Sequence, residues 1–183
     1  MTKTAVPRVL GDAVVAQSRF LEFKERRYLN KFGDESRWYM VSRVGGRRAV
    51  MIIPFCGEKL VVTREFRVPI GDYEYSFPAG LIDDGEDVVT AAKRELREET
   101  GLEIRKILTV SPSVYNSPGL TDEAVTLVYA EVGGEISRDG LEPDEDIETL
   151  VLSRDEVAAL MADEKNLVGA KAWMEFYHFV NGK

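Results

Sequence analysis

Apolar and polar positions divide the chain into a first half patterned for strands and a second half in which helices are set among strands. Residues 19–30 and 37–44 are rich in aromatic and branched side chains, and Lys31-Phe32-Gly33-Asp34 between them has turn chemistry, so a hairpin is expected there. The run from Ala49 to Cys56 is apolar throughout, the pattern of a central strand covered on both faces. Residues 58–67 supply a second strand across Gly57, and a shorter strand at 73–77 runs into Pro78-Ala79-Gly80. Beyond these the spacing predicts a strong helix over about 87–100, strands near 104–111, 124–132 and 147–152, and helices near 154–162 and 168–181. That order predicts an α/β fold, a mixed sheet covered by helices, with an added N-terminal sheet. No repeat, low-complexity tract or long Pro/Gly/Ser linker interrupts it.

A chain of 183 residues and 20.6 kDa fits one compact domain with room for a small extra sheet, and can bury a core without disulfides. Its 44% hydrophobic and 31% charged residues are the mix of a soluble globular protein. The longest apolar run falls far short of the ~20 residues that a bilayer span takes. Lys3 and Arg8 precede a short apolar stretch, but Asp12 breaks it, so no signal peptide is read and a cytoplasmic address is expected. The single cysteine, Cys56, excludes an internal disulfide and is expected to be an inert small hydrophobe.

The charge is uneven. Residues 1–67 hold 14 basic and 7 acidic side chains, and residues 68–183 hold 10 basic and 25 acidic, so +7 and −15 make up the net −8. An acidic chain is a poor general binder of nucleic acid, whose phosphates need clustered Lys and Arg. Dense carboxylates beside a basic half suit metal ions and an anionic ligand, although an acidic surface can serve solubility alone.

The helix at 87–100 sharpens this. Val88, Ala92 and Leu96 form an apolar stripe widened by Val89, and Glu95, Glu98 and Glu99 share a face directly beside it. Three like charges at half-buried positions repel one another, and near a helix C-terminus the dipole disfavours each by ~0.3–1 kcal/mol. Gly101 then supplies the left-handed residue that ends the helix. Two compensators are open: a salt-bridged surface in which Arg94 reaches Glu98 with Lys93 and Arg97 beside it, or a divalent cation held by hard oxygens.

From Gly80 to Leu102 the chain reads GLIDDGEDVVTAAKRELREETGL, which resembles the Nudix box, G-x5-E-x7-R-E-U-x-E-E-x-G-U with U aliphatic. Gly80, Glu86, Arg94, Glu95, Leu96, Glu98, Glu99, Gly101 and Leu102 fill every defined position. The resemblance implies a Nudix α/β/α sandwich with a mixed sheet over residues 46–183. Residues 1–45 would form an antiparallel N-terminal sheet used in homodimerisation. It implies metal ligation by Glu95, Glu98, Glu99 and the Ala79 carbonyl, with Glu86 in an outer or additional position. Arg94 would orient the glutamates, and Gly80 would permit a tight loop entry.

Thr63-Arg64-Glu65-Phe66-Arg67, Phe77-Pro78-Ala79-Gly80-Leu81-Ile82-Asp83 and Ser117-Pro118-Gly119-Leu120-Thr121-Asp122-Glu123 are similar to segments of the ADP-ribose pyrophosphatase branch. That branch implies Mg²⁺-dependent hydrolysis of ADP-ribose to AMP and ribose 5-phosphate, with Mn²⁺ a possible substitute. Phe20 and Trp38 would stack on adenine, Arg43 and Arg67 would serve the substrate, and Glu123 would accept a ribose hydroxyl. The attacking water would be handled by a glutamate of the acidic loop before residue 147, Glu145 first and Glu142 second, or else by Glu98. UDP- or GDP-sugars and dinucleotides are alternative substrates, and a silent ADP-ribose-sensing domain is the alternative from another class. No nucleic-acid or membrane partner is expected. His178, Trp173, Phe176, Tyr177 and Val180 are expected in the packing of the last helix.

Overall fold

The computed structural model describes residues 5–182, so Lys3 of the expected N-terminal region lies outside the described residues. Contacts along the chain separate into two units, residues 1–48 with 113–125, and residues 49–112 with 126–183.

In the first unit, β1 (Arg8–Gln17), β2 (Leu21–Leu29) and β3 (Glu35–Arg43) form an antiparallel sheet in that order. The expected hairpin is β2 and β3, paired from Leu21 with Arg43 to Leu29 with Glu35. Its turn is tied by Asn30, whose Oδ1 accepts the Phe32 and Asp34 N–H groups at 2.8 and 3.1 Å. β1 has no counterpart in the sequence reading. It is exposed along nearly its whole length, so its side chains carry no in-out alternation, and bulges break its register near Gly11 and Val15. Arg26 binds it through a two-pronged contact to Asp12, at 2.7 and 2.8 Å. Segment 113–125 carries β9 (Val114–Tyr115) and joins β3 through the Val41 N–H, which donates to the Leu120 carbonyl at 3.0 Å.

The second unit is built on a mixed sheet. β4 (Ala49–Cys56) and β5 (Lys59–Arg67) lie at its centre, with β6 (Asp72–Ser76) and β11 (Ile147–Leu152) against β5, and β7 (Ala79–Leu81) and β10 (Ala124–Gly133) against β4. β8 (Glu103–Val110) follows β10, and β12 (Leu167–Val168) adds a parallel pairing to β6. Alternate residues of a strand face opposite sides, and the helices divide accordingly. Helix α1 (Val88–Thr100) buries Ala91, Ala92 and Leu96 against Val50, Ile52, Val61, Val128 and Ala130. On the other side are α2 (Arg154–Ala162) and α3 (Ala170–Asn181), with Phe176 edge-on to Phe77 at 5.3 Å and Phe179 beside Phe55. Among the described residues no helix is long and apolar enough to cross a membrane.

The last helix corrects one expectation. Phe176 is buried, but Trp173 and Tyr177 are 47% and 54% exposed and stack on each other at 5.7 Å. His178 is exposed as well.

Candidate active site

Helix α1 starts at Asp87, whose carboxylate accepts the Val89 and Thr90 N–H groups, and ends at Gly101, whose φ of 76° is the left-handed closure expected of it. Two turns into it Arg94 gathers the box. Its Nε and Nη2 grip the two oxygens of Glu86 at 3.1 and 2.8 Å. Its Nη1 reaches Glu95 at 2.8 Å and Glu98 at 3.1 Å, and Nη2 also donates to the Leu81 carbonyl at 2.9 Å. So many carboxylates push the Arg94 pKa further up, and the hydrogen bonds from Arg94 draw that of Glu86 down.

Gly80 explains its own identity. A Cβ there would stand 2.1 Å from the Glu95 carboxyl group, so the bare backbone makes the space in which that side chain lies. Gly101 is packed in a second way, since a Cβ on it would meet the Ser137 nitrogen at 2.4 Å.

Glu95 and Glu99 are 9% and 5% exposed. Burial raises the Glu95 pKa, with Arg94 opposing it. Burial raises that of Glu99 much further, helped by the charges of Glu65 and Glu95, while an N–H from Ala79 at 3.2 Å works the other way. Glu65 on β5 was not singled out in the sequence, although it follows Val61 and Thr63 on the strand face that α1 covers. A carboxylate in that alternation was the available signal. Arg67 binds Glu65 at 2.6 Å and Glu74 at 3.3 Å, yet burial still raises the Glu65 pKa.

The acidic loop before β11 adds one more carboxylate. Glu145 is half-buried, and its charge raises the pKa of Glu65, Glu95 and Glu99 alike. Glu142 is exposed and meets Glu145 through its backbone N–H, which donates to Glu145 Oε2 at 2.9 Å. The second unit thus brings together Ala79, Gly80, Glu86, Arg94, Glu95, Glu98 and Glu99, with Glu65 and Glu145 beside them.

In the first unit a groove of about 560 Å³ is lined by Trp38, Tyr28, Arg26, Tyr115, Pro118 and Asp122, among others. Trp38 is half exposed, and its Nε1–H donates to the Gly119 carbonyl at 3.2 Å, so the aromatic ring and the Pro118-Gly119 turn come together. Phe20 is 63% exposed, lies beneath the Arg19 guanidinium, and is not part of that lining. Arg43 and Glu123 pair at 2.6 Å, and Asn116 donates to the second Glu123 oxygen at 2.5 Å.

The NUDIX domain matches residues 45–173 of this chain. The chain belongs to the Nudix family. It is 32% identical over 136 residues to the ADP-sugar pyrophosphatase of Mus musculus, covering 69% of this chain and 62% of that protein. It is 39% identical over 116 residues to the ADP compounds hydrolase NudE of Escherichia coli, covering 61% of this chain and 62% of that protein. This chain therefore spans just under two thirds of each of these two relatives. A crystal structure of an ADP compounds hydrolase superposes with a TM-score of 0.75 and 25% identity, covering 100% of this chain and 98% of the other.

A divalent ion is what the Nudix box implies, and the donors present suit one: hard carboxylate oxygens with no Cys or His among them. The strongest sign is Glu99, a buried carboxylate whose neighbours in charge are further carboxylates. As the side chains stand, no three acidic groups converge as a ligand set among the described residues. Arg94 accounts for that, because it draws Glu86, Glu95 and Glu98 to itself. The chemistry of this Nudix site fits a cation, provided Glu95 and Glu98 turn from Arg94 to meet it.

Proposed function

We propose that this Nudix chain is a divalent-metal-dependent pyrophosphatase that hydrolyses ADP-ribose, or a related ADP-sugar, to AMP and a sugar phosphate. With ADP-ribose the second product is ribose 5-phosphate. The observation that carries the reading is Glu99, a carboxylate of the box that is only 5% exposed, so that burial first, and then the charges of Glu65, Glu95 and Glu145, disfavour its ionised form. A small, highly charged cation compensates such a group better than a lysine or arginine on a long stem. The names of the relatives, ADP-sugar pyrophosphatase and ADP compounds hydrolase, favour an ADP diphosphate over UDP or GDP forms.

Glu95, Glu98 and Glu99 would hold Mg²⁺, or Mn²⁺ in its place, with the Ala79 carbonyl and Glu86 as further oxygens. When bound, the ion would withdraw charge from the diphosphate oxygens and acidify a water. Arg94 keeps the glutamates within reach of one another. Glu145 takes a proton from the attacking water as its oxygen bonds to phosphorus and the bridging P–O bond breaks, so that two phosphate monoesters leave. Glu142 and Glu98 are the substitutes for that role. Arg67 is suited to diphosphate oxygens. In the first unit, Trp38 and Phe20 offer rings to adenine, where stacking is worth ~1–3 kcal/mol per base. Arg43 and Glu123, paired with each other, would serve phosphate and ribose. We also propose a cytoplasmic homodimer formed through residues 1–45.

The test is turnover of ADP-ribose, ADP-glucose, UDP-glucose, GDP-mannose, NADH and diadenosine polyphosphates, each with Mg²⁺, Mn²⁺ or EDTA. ADP-ribose or an ADP-sugar should lead, and EDTA should abolish the reaction. Undiminished turnover in EDTA refutes the metal assignment. Tight ADP-ribose binding with no turnover of any substrate makes the chain a sensing domain instead.

A further inference from the structure

Residues 134–146 contain no helix or strand, so nothing in regular structure sets the pose of Glu145 within them. The loop is bolted down at its last residue instead. Asp146 Oδ2 accepts the Tyr73 hydroxyl in a short hydrogen bond, and Oδ1 accepts Arg138 Nη2 at 3.3 Å. The Asp146 carbonyl accepts the Phe66 N–H of β5 at 3.1 Å. Arg138 also donates to the Ile147 carbonyl from Nε and Nη2, at 2.9 and 2.5 Å, and so bridges the loop from one side to the other. Tyr73 is itself held. Phe66 packs edge-on to its ring at 5.4 Å, and the Arg64 guanidinium lies 3.9 Å from its centre.

The ion pair within this anchor adds little to the fold. Asp146 and Arg138 have side chains 59% and 58% exposed, and an ion pair so open to water contributes little stability. β6, which carries Tyr73, is paired to β5 from Thr63–Ser76 to Arg67–Asp72 without it. What the anchor does fix is the neighbour of Asp146. Glu145 closes a turn with Glu142, its N–H donating to the Glu142 carbonyl at 3.0 Å while its carboxylate accepts the Glu142 N–H. A turn of that kind is only as well placed as the residue that follows it.

We propose that Tyr73 and Arg138, through Asp146, fix the pose of the loop residue Glu145, and that Tyr73 is a positioning residue of the reaction. The inference rests on Glu145 as the proton acceptor. It assigns the Tyr73 hydroxyl a specific task, since the ring alone could keep its contacts with Phe66 and Arg64.

The decisive variant is Tyr73→Phe, which keeps the ring and removes the hydroxyl. Misplacing a reacting group by about 1 Å costs up to ~10²-fold, so kcat should fall by roughly tenfold or more while KM and Mn²⁺ affinity stay within about twofold. In a Glu145→Gln background the same substitution should cost less than about twofold, because its effect passes through Glu145. In the metal-free protein, hydrogen exchange at the Glu145 and Phe66 amides should quicken by about tenfold in Tyr73→Phe and Arg138→Gln, with the α1 amides unchanged. Unaltered kcat and exchange in Tyr73→Phe overturn the inference, and so does an effect that multiplies in full on Glu145→Gln. If Glu145→Gln alone keeps wild-type turnover, the assignment of Glu145 as proton acceptor fails, and the exchange rates still decide whether Tyr73 and Arg138 fix the loop.

Discussion

Arg94 and Glu99 hold opposite positions in the charge balance of α1. Arg94 satisfies Glu86, Glu95 and Glu98, while Glu99 is buried with an Ala79 N–H and the fields of other carboxylates. A carboxyl group whose pKa is raised by folding binds more protons in the native state than in the unfolded one, so stability falls as pH rises above the ordinary carboxylate range. Without metal, the Tm of this protein should therefore decline from about pH 5 toward about pH 7. Glu99→Gln should raise the metal-free Tm at neutral pH and flatten that decline, while Glu98→Gln and Glu99→Gln each abolish most turnover. Scanning calorimetry with and without Mg²⁺ checks both parts, and a Glu99→Gln protein that melts lower at neutral pH would sink the account. Glu145→Gln should lower kcat by ~10²–10⁴-fold with little change in metal affinity. Glu142→Gln and Glu148→Gln should be mild, since Glu142 meets Glu145 through its backbone and Glu148 points to Arg64 at 3.8 Å. Steady-state rates with Mn²⁺ titrations separate these cases; a Glu142→Gln enzyme as slow as Glu145→Gln would shift the role. At this scale the α1 glutamates were legible because helical spacing alone places them on one face. Glu65 was not, because the carboxylates whose charge it feels or adds to, Glu99 and Glu145, lie on α1 and in the loop before β11, far from it in sequence.

Elements repeat the lesson in the stability of the fold. The period of α1 and the unbroken apolar character of β4 mark buried faces, and both are buried. On α3 the same period admits Trp173 and Tyr177 to a stripe with Phe176, but a stripe read from sequence is wider than the strip that the sheet covers. Only Phe176 and Ala172 are buried on that helix among the described residues. Phe176→Ala should thus cost ~3–5 kcal/mol as its cavity opens against Phe77. Trp173→Ala should cost about 0.5 kcal/mol or less, as surface changes do. Urea unfolding of the two variants gives the comparison, and similar losses would return Trp173 to a core. β1 escaped the sequence reading for the complementary reason: an edge strand that buries almost nothing has no pattern to read.

At the scale of the whole molecule the open question is what covers the first unit's sheet. Register puts Leu21, Phe23 and Glu25 of β2 on one face with Val41 and Tyr39 of β3. On that face Phe23 stacks on Tyr39 at 5.8 Å, and Leu21, Phe23 and Tyr39 all remain exposed. Arg37 and the Tyr39 hydroxyl both reach Glu25, which gives the apolar patch a polar margin. An apolar centre with a polar rim is the anatomy of a protein–protein interface, and small sheets are marginal without something to pack against. The proposed homodimer supplies that cover from a second copy. The role of segment 113–125 in this unit could not have been read locally, because its ties to β3 span about 80 residues, Arg43 to Glu123 among them. If the patch is the dimer contact, Phe23→Glu should convert the protein to monomer in sedimentation velocity while leaving the second unit folded. Trp38 lies on the opposite face of the sheet, with Tyr28 and Arg26, so Trp38→Ala should leave the dimer intact. Its effect should be on the base, raising KM for ADP-ribose much more than it lowers kcat. The two variants therefore separate assembly from recognition. A wild-type chain that sediments as a monomer with full activity would remove the dimer, and a Trp38→Ala enzyme with unchanged KM would remove the adenine from this sheet.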